Sequence, residues 1–133
     1  MRRVDCVGGL VLEGGRILLV KRGQEPAKGT WSIPGGRVEA GESDADAVER
    51  EVREETGLAV QAGPFAGVVE RDAPTGDVYV IRDYVCRPAR GADASDVRGG
   101  DDAEEAAWFT PEQVRALVTS PGLVEAIEGW GLL

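Results

Sequence analysis

The chain has no histidine and no asparagine, only two cysteines, and two lysines against thirteen arginines. Without histidine, Ser-His-Asp and Cys-His nucleophilic sites and histidine-ligated zinc are excluded. Cys6 and Cys86 cannot complete a four-cysteine zinc site. Two thiols so far apart make no disulfide framework, which points to a reducing cytoplasm. Long apolar runs are missing too. The stretch after Met1-Arg2-Arg3 is broken by Asp5, Gly8, Gly9 and Glu13, so neither a signal-peptide core nor a membrane span is expected. The expectation is a soluble protein with no membrane association. A basic balance is also lacking. The 24 acidic and 15 basic groups leave a net charge of −9, which argues against nucleic acid as a general partner. The scarcity of asparagine and lysine reads as coding bias.

What remains is a chain of 133 residues, 42% apolar, which suits one domain with a sizeable core. It shows no repeat, linker or internal boundary, so residues 1–133 read as a single domain. The charge is uneven: residues 36–58 alone hold eight acidic and three basic groups.

Cys6–Leu12 and Ile17–Val20 read as strands joined by Glu13-Gly14-Gly15-Arg16, a turn sequence, so residues 4–22 predict a hairpin. A loop follows over 23–30. Trp31–Pro34 is a short extended piece, because the residue before proline avoids the helical region. Gly35-Gly36 opens a loop running to Glu42. Ser43 with Asp46 marks a helix start, and Gly57 a stop, which predicts a helix over 44–56 with Ala45, Val48, Val52 and Thr56 buried. Residues 58–72 and 77–88 are strand-rich around an Ala73-Pro74-Thr75-Gly76 turn. Residues 89–101 are polar and glycine-rich, hence a mobile loop. Trp108-Phe109 ends a further strand, Thr110-Pro111 caps a helix over about 111–118, and Ser120-Pro121 starts another ending near Trp130. This order of elements predicts an α/β (α+β) domain, a mixed sheet covered by helices.

On helix 44–56, Glu51, Glu54 and Glu55 stand at i, i+3 and i+4, within about 6 Å of one another at the edge of the buried stripe. At an effective dielectric of ~20 each pair repels by roughly 2–3 kcal/mol at that distance. In full solvent the cost falls to a few tenths of a kcal/mol. A fully exposed cluster is therefore an ordinary solvated face, whereas a partly buried one wants a cation. All-oxygen ligands suit Mg²⁺ or Mn²⁺, hard ions that bring phosphate substrates with them.

The surroundings sharpen this reading. Gly36, Glu42, Arg50, Glu51, Val52, Glu54, Glu55, Gly57 and Leu58 fill all nine specified positions of G-x5-E-x7-R-E-U-x-E-E-x-G-U, where U is a bulky aliphatic residue. For this composition, the acidic, glycine and arginine matches coincide by chance on the order of 10⁻⁷ times per start. The segment resembles the box of the Nudix hydrolases. Gly29-x-Trp31-x-x-Pro34-Gly35-Gly36 resembles the stretch that precedes the box in relatives. Residues 101–109, from Asp101-Asp102 to Trp108-Phe109, resemble an acidic loop and strand near the domain's end.

The resemblance implies an α/β/α sandwich of Nudix type, with a mixed central sheet and helices on both faces. It implies Mg²⁺ (or Mn²⁺) as cofactor and a nucleotide small molecule as substrate, a nucleoside diphosphate linked to another moiety. By the same resemblance Glu51, Glu54, Glu55 and the Gly36 carbonyl hold metal, and Asp102 is a further candidate ligand. Arg50 orients the carboxylates, and the base is left open among Glu51, Glu54, Glu55, Asp102 and Glu104. Glu42 is either a box residue or a favourable charge near a helix N-terminus. Trp108 and Phe109 read as core before ligand-stacking residues, and Trp31 is ambiguous. A homodimer is compatible with the family.

The resemblance also bears on the substrate. Pro74, sixteen residues past Leu58, matches a proline associated with ADP-ribose pyrophosphatases, although it also fits a plain turn. Arg22 and Arg37 are candidate substrate-binding residues, with Lys21 and Lys28 nearby. The leading expectation is a pyrophosphatase acting on ADP-ribose or a related nucleoside diphosphate sugar. The alternatives are a MutT-like nucleoside triphosphate pyrophosphatase and a nucleotide sensor without activity. The absence of asparagine, which some oxidised-purine sanitisers use for base recognition, weighs against the MutT-like role.

Overall fold

A computed structural model describes residues 1–100 and 102–133. Seven strands and three helices follow one another: β1 Arg3–Glu13, β2 Arg16–Arg22, β3 Trp31–Ser32, β4 Gly35–Arg37, α1 Asp44–Thr56, β5 Val60–Asp72, β6 Val78–Pro88, β7 Ala103–Phe109, α2 Pro111–Ala116 and α3 Leu123–Gly129. The expected α/β (α+β) class holds, with a mixed sheet and helices on both faces.

β1 is the axis of the molecule. Its first nine residues pair in parallel with β6, from Arg3 opposite Val78 to Val11 opposite Cys86, and within them Cys6, Val7 and Gly8 pair antiparallel with β4 on the other edge. Only its last two residues pair with β2, Leu12 opposite Ile17 and Glu13 opposite Arg16. The expected hairpin therefore exists at the turn and then splays. β2 leaves to pair with β7 and β3, while β6 pairs with β5 on the far side. Six consecutive buried residues in β1 explain why it lies between layers instead of facing solvent on one side.

Two cores flank this axis. Val7, Val11 and Leu18 pack with Ala47, Val48 and Val52 of α1. On the other face Leu10, Ile17 and Leu19 pack with Val114 of α2 and with Leu123 and Ile127 of α3. Trp31 meets Phe109 edge-on at 4.9 Å in the second core. Trp108 packs on the first, with its indole N–H donating to the Ala94 carbonyl. All three are core residues.

Several boundaries differ from the sequence expectation. Gly35–Arg37 is a strand, not the opening of a loop. Glycine permits it, since a Cβ on Gly35 would lie 2.1 Å from the Val7 carbonyl oxygen. α1 keeps its limits, with the Ser43–Asp46 capping box and Gly57 at φ 78°. Its buried stripe is turned slightly, however, to Ala47, Val48, Val52 and Thr56, with Ala45 exposed. α2 ends at Ala116 because Leu117 is extended. α3 begins only after Gly122, whose left-handed φ of 81° breaks the turn started at Pro121. The 89–100 stretch is irregular but anchored, with the Arg98 N–H donating to the Thr56 carbonyl. Cys6 and Cys86 are both buried free thiols. Among the described residues no helix is long and apolar enough to cross a membrane.

Candidate active site

α1 and β4 form one wall of a cleft of ≈ 740 Å³ whose floor is formed by β5 and β6. The rotation of the α1 stripe decides what its glutamates do. Glu51 and Glu55 border Val48 and Val52, and both line the cleft, while Glu54 faces outward with its side chain 42% exposed. Gly36 lets the helix approach: a Cβ there would stand 2.5 Å from a Glu51 carboxylate oxygen. Asp102 enters the same cleft from the start of β7.

Arg50 organises the outer edge. Its Nε and Nη2 donate to both Glu42 oxygens at 2.6 and 3.0 Å, a bidentate pair. Nη1 donates to Glu51 at 2.6 Å and to Glu54 at 3.2 Å, and Nη2 also reaches the Arg37 carbonyl at 3.0 Å. The Glu42 bond, then Glu51, hold the guanidinium charge firmly against the cost of burial. Glu42 in turn accepts from the Glu39 N–H, so it stitches the loop before α1 to the helix.

Glu55 is different. It accepts a 3.0 Å bond from the Gly35 N–H and has no salt-bridge partner within reach among the described residues. Burial, then the charge of Glu51, push its carboxyl up to about 8, against the opposing pull of the Gly35 N–H and of Arg22. Among the described residues no three carboxylates converge closely enough to hold a metal ion as they stand. Arg50 draws Glu54 aside, and the Gly35 N–H takes Glu55.

The other expected residues divide. Arg22 and Arg37 line the cleft. Arg22 donates to the Pro26 carbonyl, and the Arg37 guanidinium stands 5.8 Å from the centre of the Tyr79 ring. Glu104 is exposed on β7 and Pro74 is exposed in the β5–β6 turn, and neither lines the cleft. Asp101 lies outside the described residues. The cleft also holds residues that sequence reasoning passed over: Val69 and Arg71 of β5, and Tyr79, Ile81 and Asp83 of β6. They alternate along their strands, so the signal was period-two facing, readable only once the sheet face was known.

Comparison with known proteins fixes the family. The NUDIX domain pattern matches residues 2–127. This chain belongs to the Nudix hydrolases. It is 32% identical to a "MutT-like protein" of Streptomyces ambofaciens, over 98% of this chain and 80% of that one. It is 40% identical to an "ADP-ribose pyrophosphatase" of Methanocaldococcus jannaschii, over 78% of this chain and 60% of that protein. The crystal structure of a MutT NUDIX hydrolase from Burkholderia pseudomallei superposes with a TM-score of 0.79 at 28% identity, over 96% of this Nudix chain and 98% of the other. The expected α/β/α sandwich is thus the family fold, and the chain is an enzyme of the phosphoric-anhydride-splitting class.

Proposed function

We propose that this Nudix hydrolase cleaves the anhydride of a nucleoside diphosphate joined to another moiety, with ADP-ribose or a related nucleoside diphosphate sugar as the leading substrate. The observation that carries the reading is the pairing of Glu51 and Glu55 at one cleft wall, over Gly36, with Glu55 part-buried and in no salt bridge among the described residues. Carboxylates crowded in that way want a cation, and the donor set is all oxygen, which fits Mg²⁺ or Mn²⁺. Glu51, Glu54, Glu55, Asp102 and the Gly36 carbonyl are the residues that would hold it. When bound, such an ion screens the diphosphate charge and lowers the pKa of a coordinated water.

The chain's own residues supply the rest. Arg50 restrains Glu51 and Glu54 through its Nη1. Arg22 and Arg37 add positive charge on the cleft for phosphate oxygens. Glu55 is poised to take a proton near neutral pH, the property a general base needs. Glu51 and Glu54 remain competing bases. Glu104, exposed on β7 and outside the cleft lining, has no role in this reading.

Similarity to the archaeal ADP-ribose pyrophosphatase supports the leading substrate. A second reading, a MutT-like nucleoside triphosphate pyrophosphatase, draws on the Streptomyces relative and the Burkholderia structure. The exposed position of Pro74 removes contact with the cleft as support for the first. A panel of ADP-ribose, other nucleoside diphosphate sugars and nucleoside triphosphates, incubated with Mg²⁺ and resolved by anion exchange, separates them. AMP and ribose 5-phosphate from ADP-ribose at the highest kcat/KM supports the first reading. Preferential release of pyrophosphate from a triphosphate establishes the second. Tight nucleotide binding with no turnover of any member leaves a sensor.

A further inference from the structure

The cleft floor carries an acid that the hydrolytic wall does not use. Asp83 lies midway along β6 and is 3% exposed, yet it opens onto the cleft. Its cross-strand neighbours are Gly8 on β1 and Gly67 on β5. A Cβ on Gly8 would stand 2.1 Å from Asp83 Oδ1, so the carboxyl occupies the space above that glycine. At Gly67 the equivalent space is filled by the Trp130 indole, 2.2 Å from the position a Cβ would take. The two positions that would ordinarily pack beside Asp83 thus lack side chains.

No hydrogen bond reaches the Asp83 carboxyl among the described residues. The opposing charge that acts on it is Arg71, on β5. The adjacent Arg82 points to the opposite face, where it binds Asp44. The carboxyl oxygens meet the cleft, where a ligand's hydrogen-bonding groups can reach them. Burial raises the carboxyl to about 7, so both its protonated and ionised forms are accessible near neutrality. One form offers a donor beside an acceptor; the other offers two acceptors.

Position narrows the ligand. Asp83 lies two strands from Gly35, the residue whose N–H binds Glu55, by way of Gly8. Two inter-strand spacings make ~10 Å. A ribose and the near edge of a base bridge that gap when the phosphates sit at the glutamate wall.

We propose that Asp83 determines specificity by hydrogen-bonding the amino-bearing edge of the nucleobase of a bound nucleotide. Protonated, it matches the amino and ring nitrogen of adenine or cytosine; ionised, it matches the paired N–H groups of guanine. The proposal rests on the cleft being a nucleotide site, as argued above.

Calorimetric titration tests it with nucleotide pairs that differ in the amino group: AMP against purine riboside 5′-monophosphate, GMP against inosine 5′-monophosphate, CMP against UMP. In the parent at least one amino-bearing member binds tenfold or more tightly than its counterpart. In Asp83→Val and Asp83→Ala that ratio falls to within twofold, and the thermal midpoint does not drop, since an unpartnered buried acid has been removed. A ratio unchanged in both variants overturns the proposal. So does a lowered midpoint with equal losses for both members of a pair, which marks Asp83 as a structural residue. No binding of any nucleotide by the parent instead overturns the nucleotide reading of the cleft. Discrimination that persists in the variants overturns the Asp83 assignment alone.

Discussion

Glu55 and Asp83 are acids whose folded-state pKa values lie above their ordinary ones, about 8 against 4.5 and about 7 against 3.8. Between each pair of values the native chain holds a proton that the unfolded chain has lost, so stability falls as pH rises through that window. The metal-free protein is therefore expected to lose thermal stability from about pH 4.5 to about pH 8, followed by circular dichroism. Glu55→Gln removes part of the slope, and Mg²⁺ added at pH 8 raises the midpoint of the parent by binding the folded state. A flat or rising profile contradicts the burial assigned to these groups. Arg50 predicts a second outcome. Arg50→Ala removes the guanidinium bonds to the Glu42 and Glu51 carboxylates, costs about 1–3 kcal/mol in denaturant titration, and lowers kcat by two orders of magnitude or more. Arg50→Lys restores the charge but not the fork, so it recovers stability better than turnover. The glutamates and Arg50 were legible from sequence because they sit on one helix at fixed spacing. Asp83 was not. A single acid in a strand carries no spacing pattern, and the glycines beside it lie in distant segments, 75 residues before it and 16 before it.

At the scale of elements, β4 and α1 make the site by close approach. Gly36→Ala places a Cβ against the movable end of Glu51, so the fold survives while the carboxylate is displaced and turnover is lost. Gly35→Ala meets the fixed Val7 carbonyl instead and destabilises the β1–β4 pairing, by about 3 kcal/mol or more in denaturant titration. Equal effects of the two changes on stability would contradict this placement of β4. The sequence showed a glycine pair and read it as a loop, because a three-residue strand has no periodicity to announce it. α1 was legible end to end through its cap, its stop and its apolar spacing. Its orientation was not, and it depends on a distant contact. Arg82 of β6 binds both Asp44 oxygens, and the Tyr84 hydroxyl donates to the same carboxylate. Arg82, then Tyr84, hold Asp44 down to about 2 against the cost of burial. This clip is present above the ordinary carboxylate range and is lost as pH falls toward 2. Arg82→Ala is expected to cost about 1 kcal/mol and to loosen the first turn of α1, read as faster amide exchange there.

Across the whole molecule, the splaying of β1 creates the cleft. Most of the strand serves β4 and β6, its last two residues turn into β2, and the cleft beside it has the glutamate wall on one side and the β5–β6 floor on the other. That topology was the least legible feature, since the parallel pairing of β1 with β6 joins segments some 75 residues apart with no local signal. The family resemblance supplied a mixed central sheet with helices on both faces, but not this strand pairing. The net charge of −9 now has a concentrated component, a wall of carboxylates facing a site for phosphates. Such a site repels its substrate unless a cation intervenes. The rate of ADP-ribose hydrolysis, followed by ³¹P NMR against Mg²⁺ concentration in the parent, Glu51→Gln and Glu54→Gln, therefore tests the account most directly. It predicts no turnover in chelator, saturable activation of the parent by Mg²⁺, and a loss of a hundredfold or more in both folded variants. Full parental activity in chelator, or variants that match the parent, would contradict it.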